Sequence, residues 1–336
     1  MRKRLVLLAL SALVLALLWR RTGLDTLGET LGRLQGGPLA LALALFVPQT
    51  LLSAVRWTWI VGLWQPLSVR RATATVLASS SLNVILPSKM GDVLKGASLD
   101  PSAPGGDLRT GLLLGVLEKA LDTAALCALM LGATVFAPPT DALSWFLVAA
   151  GAGGVLAFVA LALPAVADRV AVLERSARTG AAGKVLRLLG SVGAILARAR
   201  AHPARLAWVT VSAVALWALH VWQFSLVHRA AGGTAAEALV WSRVPMAILV
   251  GLLPVTFAGI GTRDAAFVHF LGGPAGAGPA VALGVLGTLR YVVPAVAGLP
   301  FLASLGGVAR AREVAAAMRA RRAEPGRPAE PPVDGA

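Results

Sequence analysis

The sequence predicts an all-α polytopic membrane protein with about six spanning helices and two re-entrant hairpins of opposite orientation, an inverted repeat with both termini cytoplasmic. Three observations lead there. The 336 residues are 57% hydrophobic and only 14% charged, with a mean hydropathy of +0.75, whereas a soluble domain carries about 25% charged residues. Apolar runs of about 20 residues, enough to cross a hydrocarbon core of roughly 30 Å, recur along the chain. Two runs break at Leu-Pro and turn straight into Gly and charge: "SLNVILPSKMGDVLKGASL" (81–99) and "VGLLPVTFAGIGTRDAAFV" (250–268). A barrel would instead alternate over about ten residues per strand.

The start, "MRKRLVLLALSALVLALLWRRTG", has the basic beginning and short apolar core of a signal peptide. It lacks a small-x-small cleavage site and ends in Trp19, Arg20 and Arg21, so it reads as a retained first helix. The apolar segments are 5–19, 38–64, 73–87, 108–137, 144–167, 205–229, 238–257, 263–272 and 279–306. Trp57, Trp59, Trp64, Trp145, Trp208 and Trp241 fall near segment ends, where interfacial aromatics belong. The single cysteine, Cys127, excludes an internal disulfide and a thiolate metal site.

Net charge is +15. No nucleic-acid motif accompanies it, and the basic residues cluster between apolar runs. The charge is therefore assigned to orientation and anionic headgroups rather than to nucleic acid. Arg2, Lys3 and Arg4 place the N-terminus inside. The loop 168–205 holds Arg169, Arg175, Arg178, Lys184, Arg187, Arg198 and Arg200 and is inside, as is the Arg-rich stretch after Arg310. Connections 138–143 and 272–278 have no Lys or Arg and are outside; 20–37 has mixed charge. Within the loop, Val185, Leu188, Leu189, Val192 and Leu196 share a helical face, which predicts a basic amphipathic helix on the inner leaflet. Residues 1–310 form the membrane domain of a multi-pass protein of the cell membrane. Residues 311–336 form a basic, then Pro-rich, disordered cytoplasmic tail.

With these anchors, parity makes 73–99 start and end inside and 238–271 start and end outside. Each reads as a half-helix in, a break, and a shorter half back. Pro87 and Gly91 make the first break; Pro254, Gly259 and Gly261 make the second. Proline removes a backbone donor and glycine allows unusual dihedrals. Broken backbone at membrane depth is tolerated only when buried in protein or lining a cavity. Paired breaks in two halves point to a transporter's binding site. Two proline-kinked ordinary helices fit the hydropathy as well.

Soluble-enzyme signatures, a Walker loop and a metal-spaced His/Cys cluster are missing, so no cofactor or metal is expected. His220 and His269 read as packing residues. The informative residues are charges within apolar segments, each costing about 2.5–3.5 kcal/mol at a helix centre. They are Arg56, Glu118, Lys119, Asp122 and Arg290, with Lys89, Asp92 and Lys95 at the first break and Arg263 and Asp264 at the second. Two readings stand. In one, Arg56, Asn83, Lys89, Asp92, Lys95, Arg263, Asp264 and Arg290 bind a lipid phosphate, aided by the half-helix N-terminus after Gly261, while Glu118, Lys119 and Asp122 couple ions or protons. In the other, the charges are salt bridges that lock helices together, and Asn83 is a packing residue.

At these residues the chain resembles the lysylphosphatidylglycerol synthase transmembrane-region family, flippase-like integral membrane proteins. The resemblance rests on Asn83, Leu86, Pro87, Gly91, Asp92 and Lys95, and on Leu253, Pro254, Gly259, Gly261, Arg263 and Asp264. Arg56–Trp57 and Glu118, Lys119 and Asp122 fit its spacing, and it covers about 1–310. Lys95 stands where the family's usual residue is Arg, and Asp264 where it is Glu. The soluble aminoacyl-transfer domain of some members is missing. The resemblance therefore implies translocation rather than synthesis of a lipid: an anionic or aminoacylated phospholipid, or a polyprenyl-linked one. The residues leave open an integral-membrane transferase using Asp92, Glu118 and Asp122, a scaffold for a lipid-modifying enzyme, and a carrier of hydrophilic solutes. The "GLLLG" motif, Gly111–Gly115, permits close helix packing without fixing an oligomer.

Overall fold

The computed structural model describes residues 10–13, 16, 24–85, 91–92, 95–100, 103, 106, 108–176, 180–253, 256, 259–272 and 277–305. Pro87, Lys89, Pro254, most of the first apolar segment and the tail 311–336 lie outside the described residues. Those described form twelve α-helices and no strand: α1 (Leu24–Gly32), α2 (Gly36–Ala44), α3 (Phe46–Val61), α4 (Val69–Ile85), α5 (Leu108–Thr134), α6 (Ala142–Ala162), α7 (Pro164–Ser176), α8 (Ala181–Arg200), α9 (Pro203–Ala230), α10 (Glu237–Leu252), α11 (Thr262–Leu271) and α12 (Gly278–Gly298). Short 3-10 turns cover Lys95–Ser98 and Leu299–Leu305.

Among the described residues, four helical stretches are long and apolar enough to cross a membrane: 36–61 through α2 and α3, α6, α9, and α12 extended to 302. The 27-residue α5 is about 40 Å long but carries Arg109, Glu118, Lys119 and Asp122. The four overlap the expected segments 38–64, 144–167, 205–229 and 279–306, and α5 overlaps 108–137.

Local chemistry explains the boundaries. Asp141 is extended and its carboxylate accepts from the Ser144 amide, capping α6. Pro164 cuts the expected segment 144–167 in two, because the residue before proline, Leu163, is driven out of the helical region (ψ 134°). In the same way α10 stops at Leu252 rather than 257: Leu253, before Pro254, is extended. Gly259 and Gly261 take φ +76° and +99°, values a side chain resists, and Gly261 then opens α11.

Contacts between loops sort the structure into two ends. At one end, the Asp100 amide donates to Gln65 Oε1 (3.2 Å), Arg198 Nε to the Leu63 carbonyl (2.8 Å) and Arg200 Nη1 to the Ala162 carbonyl (2.6 Å). At the other, the Gln35 amide meets the Ala230 carbonyl (2.9 Å), Arg243 Nη2 the Pro138 carbonyl (2.9 Å), and His269 lies 3.5 Å from Asp141. The first end gathers the basic loop that the charge pattern puts inside. The second gathers the connection without Lys or Arg, and 33–35 falls with it.

The segment 69–100 begins and finishes at the first end, with Gly91 folded back against Ser79 and Asn83 of α4. The segment 237–271 begins and finishes at the second, with Gly259 seated on Gly251 and Arg263 packed beside it. The described ends of these two doubled-back units thus lie at opposite ends of the molecule. Gly111 of the "GLLLG" motif serves an internal contact: it faces Gly96 so closely that a Cβ on either would overlap the other's backbone.

Two apolar clusters fill the interior. One joins Phe224, Val244, Met246, Phe267 and Leu283 across α9 to α12; the other joins Trp57, Ile60, Leu114, Leu121 and Leu196. Trp57 corrects the interfacial expectation. It is fully buried under the Lys95 ammonium, 5.3 Å from its ring. The amphipathic helix is also corrected in part. Val192 and Leu196 of α8 are buried in the bundle, and only Val185, Leu188 and Leu189 stay exposed.

Gly111→Val is expected to push the 95–98 turn off α5 and cost about 1–3 kcal/mol, read as a lowered thermal midpoint in detergent. Ser144 donates twice to Asp141, through its hydroxyl and its amide, and holds the carboxyl below its ordinary range. A lowered carboxyl stabilises the fold above its unfolded-state value and loses that contribution as pH falls through the folded one. Asp141→Ala should therefore cost about 1 kcal/mol at neutral pH, with the difference from wild type vanishing on strong acidification.

Candidate functional site

The two doubled-back units approach each other at a cavity of about 290 Å³. Asn83, Asp92 and Lys95 line it from the first unit and Ile260 and Arg263 from the second. Arg56 of α3, Glu118, Lys119 and Asp122 of α5, and Arg290 of α12 complete its charged lining. Charges separated by more than 200 residues in sequence thus share one space. Asp264 stands behind Arg263, outside the lining.

Six of these charges form an alternating chain. Asp92 pairs with Lys119 (2.5 Å), Lys119 with Asp122 (3.3 Å), Asp122 with Arg56 (2.6 Å), Arg56 with Glu118 (2.9 Å) and Glu118 with Lys95 (2.5 Å). The sequence places Glu118 and Asp122 one turn apart on α5, so one guanidinium spans both. Asp92 also accepts from Ser79 Oγ (2.9 Å) and Asn83 Nδ2 (2.8 Å), and its own amide donates to Asn83 Oδ1 (3.2 Å). Asn83 therefore ties the returning limb to α4. Gly91 is the position where that limb touches α4, and a Cβ there would collide with the Ser79 carbonyl.

The second unit carries its own pair. Asp264 accepts from Arg263 (2.9 Å) and from the Gly261 amide (2.9 Å). Arg263 also reaches the Gly284 carbonyl (3.1 Å) and Thr288 Oγ1 (2.8 Å) on α12. Both residues are buried.

Arg290 differs from the others. Its neighbours include no carboxylate: Gln223 Oε1 (3.3 Å), His220 Nδ1 (3.5 Å) and the Tyr291 hydroxyl (3.2 Å), with the Phe224 and Tyr291 rings 4.5 and 4.8 Å from its centre. No carboxylate pairs with it among the described residues. Sequence reasoning passed over this polar surround. Gln49, Ser53 and Arg56 are spaced i, i+4 and i+7 on α3, and His220 and Gln223 i and i+3 on α9, all lining the cavity. A polar stripe within an apolar helix was the available signal.

The opposite wall is apolar. Val84 of α4 and Val292 of α12 line the cavity and are also exposed at the outer surface. Below them the same two helices close tightly, with Ser81 Oγ donating to the Ala295 carbonyl (2.5 Å) and Gly298 against Leu77.

Removing one partner of a buried pair strands the other's charge, at a cost of about 3–5 kcal/mol. Arg263→Ala is expected to lower stability by that amount, and Arg263→Ala with Asp264→Ala to cost less than the two single changes together. Thermal unfolding in detergent measures both. An unchanged midpoint in Arg263→Ala would remove the structural role.

No curated protein and no solved structure gave a significant match to the chain. The family profile described as the lysylphosphatidylglycerol synthase TM region matches residues 4–298. That match takes in both doubled-back units and every charge of the cavity, and it implies an integral-membrane role in lipid handling. The chain belongs to the lysylphosphatidylglycerol synthase transmembrane-region family.

Proposed function

We propose that the protein translocates a lipid across the cell membrane, its headgroup passing through the charged cavity while the acyl chains remain in the bilayer. In this reading the doubled-back units are re-entrant hairpins entering from opposite faces, about six helices span, and both termini are cytoplasmic. Arg56, Asn83, Asp92, Lys95, Arg263 and Arg290 line the path and Asp264 stands behind Arg263; Lys89, outside the described residues, is assigned to the same headgroup. Glu118, Lys119 and Asp122 couple its charge network to α5.

The carrying observation is the cavity's two-sidedness. Charged and amide groups line its interior, while exposed Val84 and Val292 form its outer lip. A hydrophilic solute has no use for an apolar lip, and a phospholipid matches both faces. For a transferase, a free carboxylate is needed as base or metal ligand. The three candidates, Asp92, Glu118 and Asp122, are each engaged by Lys or Arg at 2.5–2.9 Å, which favours transport.

Purified protein reconstituted in vesicles with a fluorescent phosphatidylglycerol should accelerate the label's loss of protection from an external quencher. Ser53→Trp, placed in the cavity wall, should reduce that rate at least tenfold while the protein stays folded. A rate equal to protein-free vesicles would sink the proposal.

A further inference from the structure

We infer that the end of the cavity framed by Arg290 and Trp217 is an anion subsite, and that the cavity accepts a phosphodiester amphiphile of net charge minus one in preference to a lysylated, net cationic one. The inference rests on the reading of the cavity as a lipid site and adds the sign of the cargo.

The first ground is charge balance. Lys95, Arg56 and Lys119 are matched by Glu118, Asp122 and Asp92 in the alternating chain, and Arg263 is matched by Asp264. Arg290 is left over among the described residues. A low-dielectric cavity with a surplus cation is stabilised by an occupant that supplies one negative charge, and a second cation there would be repelled.

The second ground is hydrogen bonding. Trp217 Nε1 is buried, lines the same cavity and has no acceptor among the described residues. The Trp217 and His220 rings meet edge-on at 5.3 Å, and His220 Nδ1 is 3.5 Å from Arg290 Nη1, so the indole and the guanidinium flank one ring. An indole N–H donates only, and a guanidinium donates only. A group that met both would therefore have to accept, as phosphate oxygens do.

The third ground is orientation. Gln223 gives its Nε2 hydrogen to the Ala42 carbonyl (2.6 Å), which turns its Oε1 toward Arg290 and Gln49. Phe224 and Tyr291 hold the guanidinium by its faces. The fork is positioned by an amide oxygen and ring faces, with no carboxylate beside it among the described residues, the arrangement suited to bidentate phosphate.

The test is native mass spectrometry of the full chain in neutral detergent with equal amounts of phosphatidylglycerol, lysyl-phosphatidylglycerol and phosphatidylcholine. Wild type should retain phosphatidylglycerol at least tenfold over the other two. Trp217→Phe keeps the ring and loses the donor, and should weaken that retention about tenfold. Arg290→Gln should erase the preference, and Arg290→Lys should keep part of it. Equal or better retention of the lysylated lipid by wild type overturns the inference without any variant. So does an undiminished preference in folded Arg290→Gln and Trp217→Phe. Competition by glycerol 3-phosphate at equal concentration would assign the subsite to free phosphate and overturn the amphiphile. Binding is read at equilibrium: a lost preference with intact translocation sinks the subsite alone, and an intact preference with no translocation in vesicles sinks the transport reading alone.

Discussion

Arg56 is 1% exposed and lies between Glu118 and Asp122, each of which it bonds. The arrangement holds only as a whole. Without Arg56, two carboxylates on adjacent turns of α5 would face each other in a dry interior, a state that costs several kcal/mol per ion. Glu118 is shared with Lys95, so the same contact pins the 95–98 turn, and through Lys119 it reaches Asp92 and the limb folded on α4. The geometry of the first half of the molecule, and one wall of its cavity, follows from that run of alternating signs.

The second half solves the same problem differently. Arg263 and Asp264 are neighbours in sequence, and α11 begins at the point where both can turn inward. Their pairing is local, reinforced by the Gly261 amide and by Thr288 and Gly284 of α12. One half is held by charges gathered from three elements, the other by a dipeptide. The cavity lies between a braced wall and a self-contained one, and Arg290 stands in it with no carboxylate beside it among the described residues.

Much of the architecture was legible because hydropathy and charge report on the membrane directly. Loop charge sorts the connections into the same two groups that the loop contacts do, and the second Leu-Pro ends α10 at Leu252. The charged residues of the cavity were visible as costly exceptions in apolar runs. What stayed hidden is pairing. Nothing in the sequence says that Arg56 faces α5 or that Lys95 lies over Trp57, because those contacts depend on helix rotation, which a broad apolar surround does not fix. Trp57 looked interfacial by position and is buried by rotation. Trp217 and Gln223 were overlooked because an aromatic or an amide in an apolar helix carries little cost and so raises no flag.

The distance along the chain between Arg56 and its partners has a consequence for biogenesis. Glu118 follows Arg56 by 62 residues and Asp122 by 66, so α3 leaves the ribosome long before either carboxylate exists. At synthesis rates of roughly 5–20 residues per second, Arg56 waits several seconds with its charge unmatched. Arg263 and Asp264 emerge together and neutralise each other at once. The counter-charges of the first half are thus synthesised well after the charge they match, and those of the second half beside it.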